Sequence, residues 1–285
     1  MSPNAFPILP HLQFATDYRA DMKNMVRVLI VAGSDSGGGA GIQADIKTVT
    51  MLGGYAATAV TAITVQNTLG VSAIVPIAPD VVAAQMRAVL DDIGADIVKI
   101  GMLGDAAVIA AVAEVLREAR LPVVLDPVMV AKGGAALLED DAVEAMLRLL
   151  VPLATVVTPN TPELAALAGS DIEDEGDVVL AAQELLDLGA RAVLAKGAHM
   201  DGAEIADWLV TPSLQTRFVS ARIDTVHTHG TGCTLASALA TLLGQGVALP
   251  EAVERARNYV QSAIRAAPGF GAGHGPLGHN WALAR

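Results

Sequence analysis

The sequence predicts an α/β protein in which a mostly parallel central sheet is covered by helices on both faces. Short runs rich in β-branched residues alternate with longer segments whose apolar residues recur every three or four positions. Such alternation is typical of βαβ units. The short runs are apolar throughout, as expected of parallel strands that are buried on both faces. No repeat or linker interrupts the pattern, so we expect a single domain.

The individual elements follow from these two patterns. Six segments have the length and composition of buried strands, namely 27–32, 56–65, 97–100, 123–125, 155–158 and 191–195. The spacing predicts five helices among them, at 40–52, 79–93, 106–120, 140–150 and 178–188. A hairpin-like pair at 207–211 and 215–219 precedes two last helices near 234–243 and 250–266.

Composition narrows the classes of function. The chain has 285 residues with 30 acidic and 18 basic side chains, giving a formal charge of −12. This acidic balance argues against a nucleic-acid or anionic-membrane partner. No uncharged stretch holds the run of about 18 apolar residues that a membrane span needs, and one cysteine fits a reducing compartment. We therefore expect a cytoplasmic protein. Residues 1–25 contain three prolines and no clear period, so we expect a disordered extension or an over-long start with Met22 or Met25 as the initiator, and residues 26–285 as the folded domain.

The densest glycine cluster, at residues 37–41, lies between the first strand and the first helix. Residues 39–44 fit the relaxed dinucleotide fingerprint G-x-G-x-x-A. That fingerprint also needs an acidic residue at the end of the next strand, but the next strand ends in Gln66 and no acidic residue lies between Asp45 and Asp80. A P-loop motif is absent from the sequence as well. A tight turn that lets a small molecule approach the backbone is the better interpretation.

A second cluster, Gly230-Thr231-Gly232-Cys233, directly precedes an apolar helix. Backbone N–H groups at a helix N-terminus, together with the helix dipole, form an anion hole. Such a hole suits the charge that develops on a phosphoryl group during transfer. The same position is expected to lower the pKa of the Cys233 thiol. The alternative for a lone cysteine is a small buried apolar side chain.

Polar residues also follow the predicted strands, where a sheet of this kind binds its ligands. Asp126, Asn160 and Glu163 supply acidic and amide groups at neighbouring strand ends, and Lys196 follows the strand at 191–195. Phosphoryl transfer needs Mg²⁺, which is usually held by one or two carboxylates and water. Glu163 is equally suited to the first turn of a helix, and both roles can hold together. Lys196 is interpreted as a phosphate contact, with a snorkelling edge residue as the alternative.

Several of these segments together carry a resemblance to a known family. The sequence resembles the hydroxymethylpyrimidine/phosphomethylpyrimidine kinases of thiamine biosynthesis, which belong to the ribokinase-like superfamily. The similarity runs in register from about Val26 to the glycines near His274. The matching segments are 32–45, 65–68, 99–103, 126–129, 158–160 and 229–234. Most sugar kinases of the superfamily have Asp where Cys233 stands, which separates this chain from them.

The resemblance implies a role for each matching residue. The substrate pocket would be formed by Gln66, whose amide would hydrogen-bond the aminopyrimidine ring, with Gly33, Asp45, Met102 and Val128. Asp126 and Glu163 would hold Mg²⁺, while Asn160, Lys196 and Thr231 would lie near the triphosphate of ATP. Cys233 would accept the hydroxyl proton within the anion hole of Gly230, Thr231 and Gly232, and residues 130–135 would form a flap over the site.

The implied activity is ATP-dependent phosphorylation of 4-amino-5-hydroxymethyl-2-methylpyrimidine and then of its monophosphate. A pyridoxine, pyridoxal or pyridoxamine kinase is the alternative, because those rings also carry a hydroxymethyl group. A non-catalytic binding protein would not need an intact anion hole. The family further suggests a homodimer.

Overall fold

A nine-stranded sheet organises the chain in the computed structural model, which describes residues 25–129, 140–200 and 202–283. The strand order is β3-β2-β1-β4-β5-β6-β7-β8-β9. The six strands from β2 to β7 in this order pair in parallel, whereas β3 at one edge and β8 and β9 at the other pair antiparallel. The predicted fold class is confirmed.

The observed strands include all the predicted ones in the same order, with bounds that differ by at most three residues. They are β1 (Arg27–Asp35), β2 (Tyr55–Asn67), β3 (Gly70–Pro76), β4 (Ile97–Ile100), β5 (Val123–Leu125), β6 (Val156–Val157), β7 (Val193–Ala195), β8 (Glu204–Thr211) and β9 (Leu214–Ala221). β3 was not predicted. It is an edge strand whose last five residues are exposed, so it lacks the apolar pattern of a buried strand.

The helices lie on both faces of the sheet. They are α1 (Gly41–Met51), α2 (Pro79–Asp92), α3 (Ala106–Ala119), α4 (Asp140–Leu149), α5 (Thr161–Ala168), α6 (Glu175–Asp187), α7 (Thr231–Gly244) and α8 (Leu249–Arg265). One apolar core contains residues of α2 to α6 and the other contains residues of α1, α7 and α8. Successive residues of β1 alternate between them, Leu29 and Val31 facing the first and Val28 and Ile30 the second.

Two predictions fall on residues outside the described ranges. The predicted flap at 130–135 is one of them, and the predicted disordered extension, apart from Met25, is the other. Both stay predictions. In the described part of the chain, no helix is both long enough and apolar enough to cross a membrane.

Candidate active site

A cavity of about 490 Å³ opens at the carboxyl ends of the parallel strands. Ligands bind at this edge in open α/β sheets because the loops that follow the strands meet there. Of the residues predicted for the site, all but Asp45 line this cavity, namely Gly33, Gln66, Met102, Asp126, Val128, Asn160, Glu163, Lys196, Gly230, Thr231, Gly232 and Cys233. Residues more than 190 positions apart in the sequence thus share one site.

The first turn of α7 forms one wall of the cavity. Gly230 is the N-cap of this helix and has φ +85°, a left-handed conformation that favours glycine. A side chain at Gly230 would also collide with the carbonyl oxygen of Gly39, so the two glycine clusters are in contact here. Because the first backbone N–H groups of a helix have no partner within it, this turn can bind an anion.

Cys233 lines the cavity from the same turn, but its ionisation differs from the sequence-based expectation. Burial raises the pKa of the Cys233 thiol to about 11, and the carboxylates of Asp45 and Asp126 add to that effect. The ammonium of Lys99 acts in the opposite direction. The prediction that the helix N-terminus lowers this pKa is therefore wrong, since desolvation and two acidic neighbours outweigh it.

Lys196 and two carboxylates form a charged cluster beside Gly232. Lys196 Nζ lies 2.8 Å from Asp126 Oδ1 and 3.8 Å from Glu163 Oε2. Burial alone would lower the pKa of Lys196, but Asp126 and Glu163 outweigh it and raise that pKa. The hydroxyl of Thr158 also donates to Asp126 Oδ1, at 3.0 Å. The cluster thus holds a charged ammonium at the cavity wall.

The start of α5 supplies Asn160 and Glu163. Asn160 Oδ1 accepts the N–H of Glu163 at 2.9 Å, and Glu163 Oε2 accepts the N–H of Asn160 at 2.8 Å. This reciprocal capping box fixes both side chains at the cavity. Burial raises the pKa of Glu163, and Lys196 partly offsets that shift. Glu163 is therefore both the first-turn acid of a helix and part of the site, as the sequence allowed.

Asp45 does not line the cavity, which corrects its predicted place in the substrate pocket. Its side chain is fully buried, with Oδ2 2.8 Å from Lys99 Nζ and Oδ1 accepting from Ser237 Oγ at 2.6 Å. Lys99 is fully buried too, in the centre of the sheet. Because Lys99 and Ser237 satisfy the Asp45 carboxylate, the carboxylate points into the protein, where it contacts α7.

The structure adds two residues that sequence reasoning missed, Asp35 and His229. Both line the cavity, and His229 Nε2 lies 2.8 Å from Asp35 Oδ2. His229 Nε2 also lies 3.3 Å from the side-chain nitrogen of Gln66. Asp35 ends β1 two positions before the first glycine cluster, and His229 directly precedes the second. Their positions near the two glycine clusters, and that of Asp35 at a strand end, are the sequence signals that could have indicated them.

The fold and the site together define a ribokinase-like small-molecule kinase. Two features define this class. A cavity lies at the carboxyl ends of the parallel strands, and a helix that begins at a glycine faces acidic and basic side chains across it. Among the described residues, no cluster of three or more His, Cys, Asp and Glu side chains could hold a metal ion by itself.

Comparison with known proteins narrows this class. The family model for phosphomethylpyrimidine kinase matches residues 35–278, and the chain belongs to that family. It is 48% identical over 256 residues to the hydroxymethylpyrimidine/phosphomethylpyrimidine kinase of Streptomyces coelicolor, covering 90% of this chain and 95% of that protein. It is 54% identical over 253 residues to the thiamine biosynthesis bifunctional protein ThiED of Geobacter sulfurreducens. That match covers 88% of this chain and about half (52%) of the Geobacter protein.

Solved structures are similar as well. A pyridoxal kinase of Bacillus subtilis in complex with ADP has a TM-score of 0.85 at 36% identity, covering 92% of this chain and 100% of that chain. The phosphomethylpyrimidine kinase of Clostridium difficile has a TM-score of 0.75 at 39% identity, covering 84% of this chain and 99% of that chain.

Proposed function

We propose that this protein transfers the γ-phosphoryl group of ATP to 4-amino-5-hydroxymethyl-2-methylpyrimidine and then to the resulting monophosphate, in one site. The observation that carries the proposal is the single cavity in which Gln66 stands with the first turn of α7 and the Lys196 cluster. The family membership and the names of the relatives support the choice of substrate.

In the first step the substrate hydroxyl oxygen would form a bond to the γ-phosphorus while the bond to the ADP oxygen breaks. The backbone N–H groups of Gly232 and Cys233 would stabilise the charge that develops on the transferring group. The hydroxyl proton would pass to the thiolate form of Cys233, a minor fraction at neutral pH that the charge of Lys99 favours. Cys233 is therefore assigned as the proton acceptor.

The nucleotide end of the site is assigned to Asn160, Lys196 and Thr231. Asn160 uses its side-chain oxygen to cap α5, so its NH₂ group is the part that would donate to a phosphate oxygen. Lys196 would add a positive charge at the same end. Pyridoxal kinases of the same fold have been solved with ADP and with AMP-PCP, which supports ATP as the donor.

Asp126 and Glu163 fit a magnesium site. Oδ1 of Asp126 accepts both hydrogen bonds described for this side chain. Its other oxygen, Oδ2, lies near Gly232, 3.6 Å from where a Cβ on that glycine would be. Carboxylate oxygens of this kind, with phosphate and water, are the ligands that Mg²⁺ prefers. The ion would neutralise phosphate charge when bound.

Phosphorylation of pyridoxal is the second candidate. It is supported by the similarity to the B. subtilis pyridoxal kinase, whose TM-score exceeds that of the C. difficile phosphomethylpyrimidine kinase. ATP turnover with each alcohol in parallel decides between the two. We expect a higher kcat/KM for the aminopyrimidine, and a higher value for pyridoxal would overturn the first choice.

We also propose that the protein works as a homodimer in the cytoplasm. Exposed apolar side chains cluster on one face of β2 and the adjoining β3, namely Ile63, Val65 and Val75. Exposed apolar patches of this kind mark contact surfaces. Light scattering should give about twice the mass of one chain, and Val65→Lys with Val75→Lys should halve it; a wild-type mass of one chain contradicts the dimer.

A further inference from the structure

A series of close polar contacts runs along the Gln66 side of the cavity. It begins at Asp35, whose Oδ2 lies 2.8 Å from His229 Nε2. His229 Nε2 lies 3.3 Å from Gln66 Nε2, and Gln66 Oε1 lies 3.0 Å from Thr64 Oγ1. The series ends at the carbonyl oxygen of Ser34, 3.0 Å from Thr64 Oγ1. All five residues line the cavity.

The Asp35 end of this series is fixed as an acceptor. Its carboxylate accepts the backbone N–H groups of Gly37, Gly39 and Ala40 at 2.7, 3.0 and 2.8 Å. Burial would raise the pKa of Asp35, but His229 and the N–H groups of Ala40 and Gly37 outweigh it and lower that pKa. An ionised carboxylate only accepts, so the nitrogen of His229 that faces it must carry a hydrogen.

The Thr64 end is fixed in the opposite sense. A hydroxyl has one hydrogen, and the Ser34 carbonyl can only accept. Thr64 therefore donates to Ser34 and presents a lone pair to the Gln66 amide. The one hydrogen of His229 Nε2 goes to Asp35 at 2.8 Å, so Nε2 has no lone pair for the amide group 3.3 Å away, and only an amide oxygen can share that hydrogen. The Gln66 amide is therefore satisfied only when its NH₂ group lies beside Thr64 and its oxygen lies beside His229. A half-turn of the terminal amide gives this orientation and leaves the shape of the side chain unchanged.

We propose that Asp35 and His229 are positioning residues that orient the Gln66 amide, and thereby select ligands with a defined order of acceptor and donor along the ring edge. This inference rests on the proposed function and deepens it. The remaining N–H of Gln66, on the Thr64 side, receives a ring nitrogen. The remaining lone pair, on the His229 side, receives an exocyclic amine. An aminopyrimidine edge presents this order, whereas its 4-oxo counterpart presents the reverse.

The test compares the 4-amino substrate with its 4-oxo counterpart in the wild type and in four variants. In His229→Leu and Asp35→Asn the amide is free to turn, and the amino-to-oxo ratio of kcat/KM should fall about tenfold or more. His229→Gln keeps an N–H donor near the position of Nε2 and should hold the ratio within about threefold. Thr64→Val releases the other end of the amide and should also lower the ratio.

The controls separate selection from folding. Thr241→Val removes a buried hydroxyl that donates to Ser237 O, away from the cavity, and should leave the ratio unchanged. Equal losses for both ligands in His229→Leu and Thr64→Val, with normal circular dichroism, would show a purely structural role and overturn the inference. If the wild type phosphorylates neither pyrimidine, the proposed function fails. Calorimetry then gives the dissociation constants of the 4-amino and 4-oxo ligands, and their ratio tests the orientation of the amide independently of turnover. A ratio that His229→Leu leaves unchanged overturns the inference.

Discussion

Two lysines, one within strand β4 and one directly after strand β7, make ion pairs of equal length in very different surroundings. Lys99 Nζ lies 2.8 Å from Asp45 Oδ2, and Lys196 Nζ lies 2.8 Å from Asp126 Oδ1. The side chains of Lys99 and Asp45 are 0% exposed, whereas that of Lys196 is 12% exposed and lines the cavity. Only the second pair can exchange partners with a ligand. Pairs of equal length can therefore have different roles: the first is structural, and the second is open to a ligand, for which we propose phosphate.

The surroundings of Lys99 explain why its charge persists in the core. Burial alone would lower the pKa of Lys99, but the carboxylate of Asp45 outweighs it and raises that pKa. The Asp45 carboxylate is completed by Ser237, one helical turn beyond Cys233 on α7. The pair thus anchors the helix that carries the anion hole. An ion pair in such a place is costly to break on one side, because the remaining charge has no water.

The largest effect is expected for Lys99→Met. Removing the ammonium leaves the Asp45 carboxylate buried without its cationic partner, which should cost about 3–5 kcal/mol of the free energy of unfolding. Denaturant unfolding measures this cost. The double variant Lys99→Met with Asp45→Leu removes both charges and should recover most of the loss. If the single variant is within about 1 kcal/mol of the wild type, the pair is not the anchor described above.

Lys196→Met should give the opposite profile. The variant keeps the core intact, so its unfolding free energy should change less than that of Lys99→Met. Its kcat/KM should fall about 10²- to 10³-fold, because a charge aimed at the transferring group is lost. Parallel measurement of both variants provides the control. A Lys196→Met enzyme with near wild-type turnover would place the phosphate contact elsewhere.

Cys233→Ala should slow the first phosphorylation by about 10²-fold, the usual range for a general base. The acceptor of the second step is a phosphate oxygen that is already ionised near neutral pH, so that step should lose much less. Separate assays with the alcohol and with its monophosphate measure the two losses. Equal losses would mean that Cys233 shapes the anion hole and accepts no proton.

The two lysines also differ in how much of their surroundings the sequence predicts. The strands at 97–100 and 123–125 were predicted with their observed bounds, because buried parallel strands have a continuous apolar pattern. Lys196 was recognised by its place after a strand. The partner of Asp45 could not be found, since Lys99 lies 54 positions away and only tertiary packing joins them. The contact between Asp35 and His229 spans 194 positions and was missed for the same reason.

The smallest effect is expected on the reactivity of the Cys233 thiol, which the nearby charge of Lys99 influences. Burial raises the pKa of the Cys233 thiol to about 11, so the thiol is protonated at neutral pH. Only the thiolate reacts with iodoacetamide, and the alkylation rate should therefore rise about tenfold per pH unit from pH 7 to 10 without a plateau. Ser237→Ala removes one hydrogen bond of Asp45 but no charge, and should leave this profile in place. Lys99→Met with Asp45→Leu removes the favourable charge of Lys99 together with the weaker opposing charge of Asp45, so the rate at each pH should fall slightly. A plateau near pH 7 would show that the helix N-terminus governs the thiol after all.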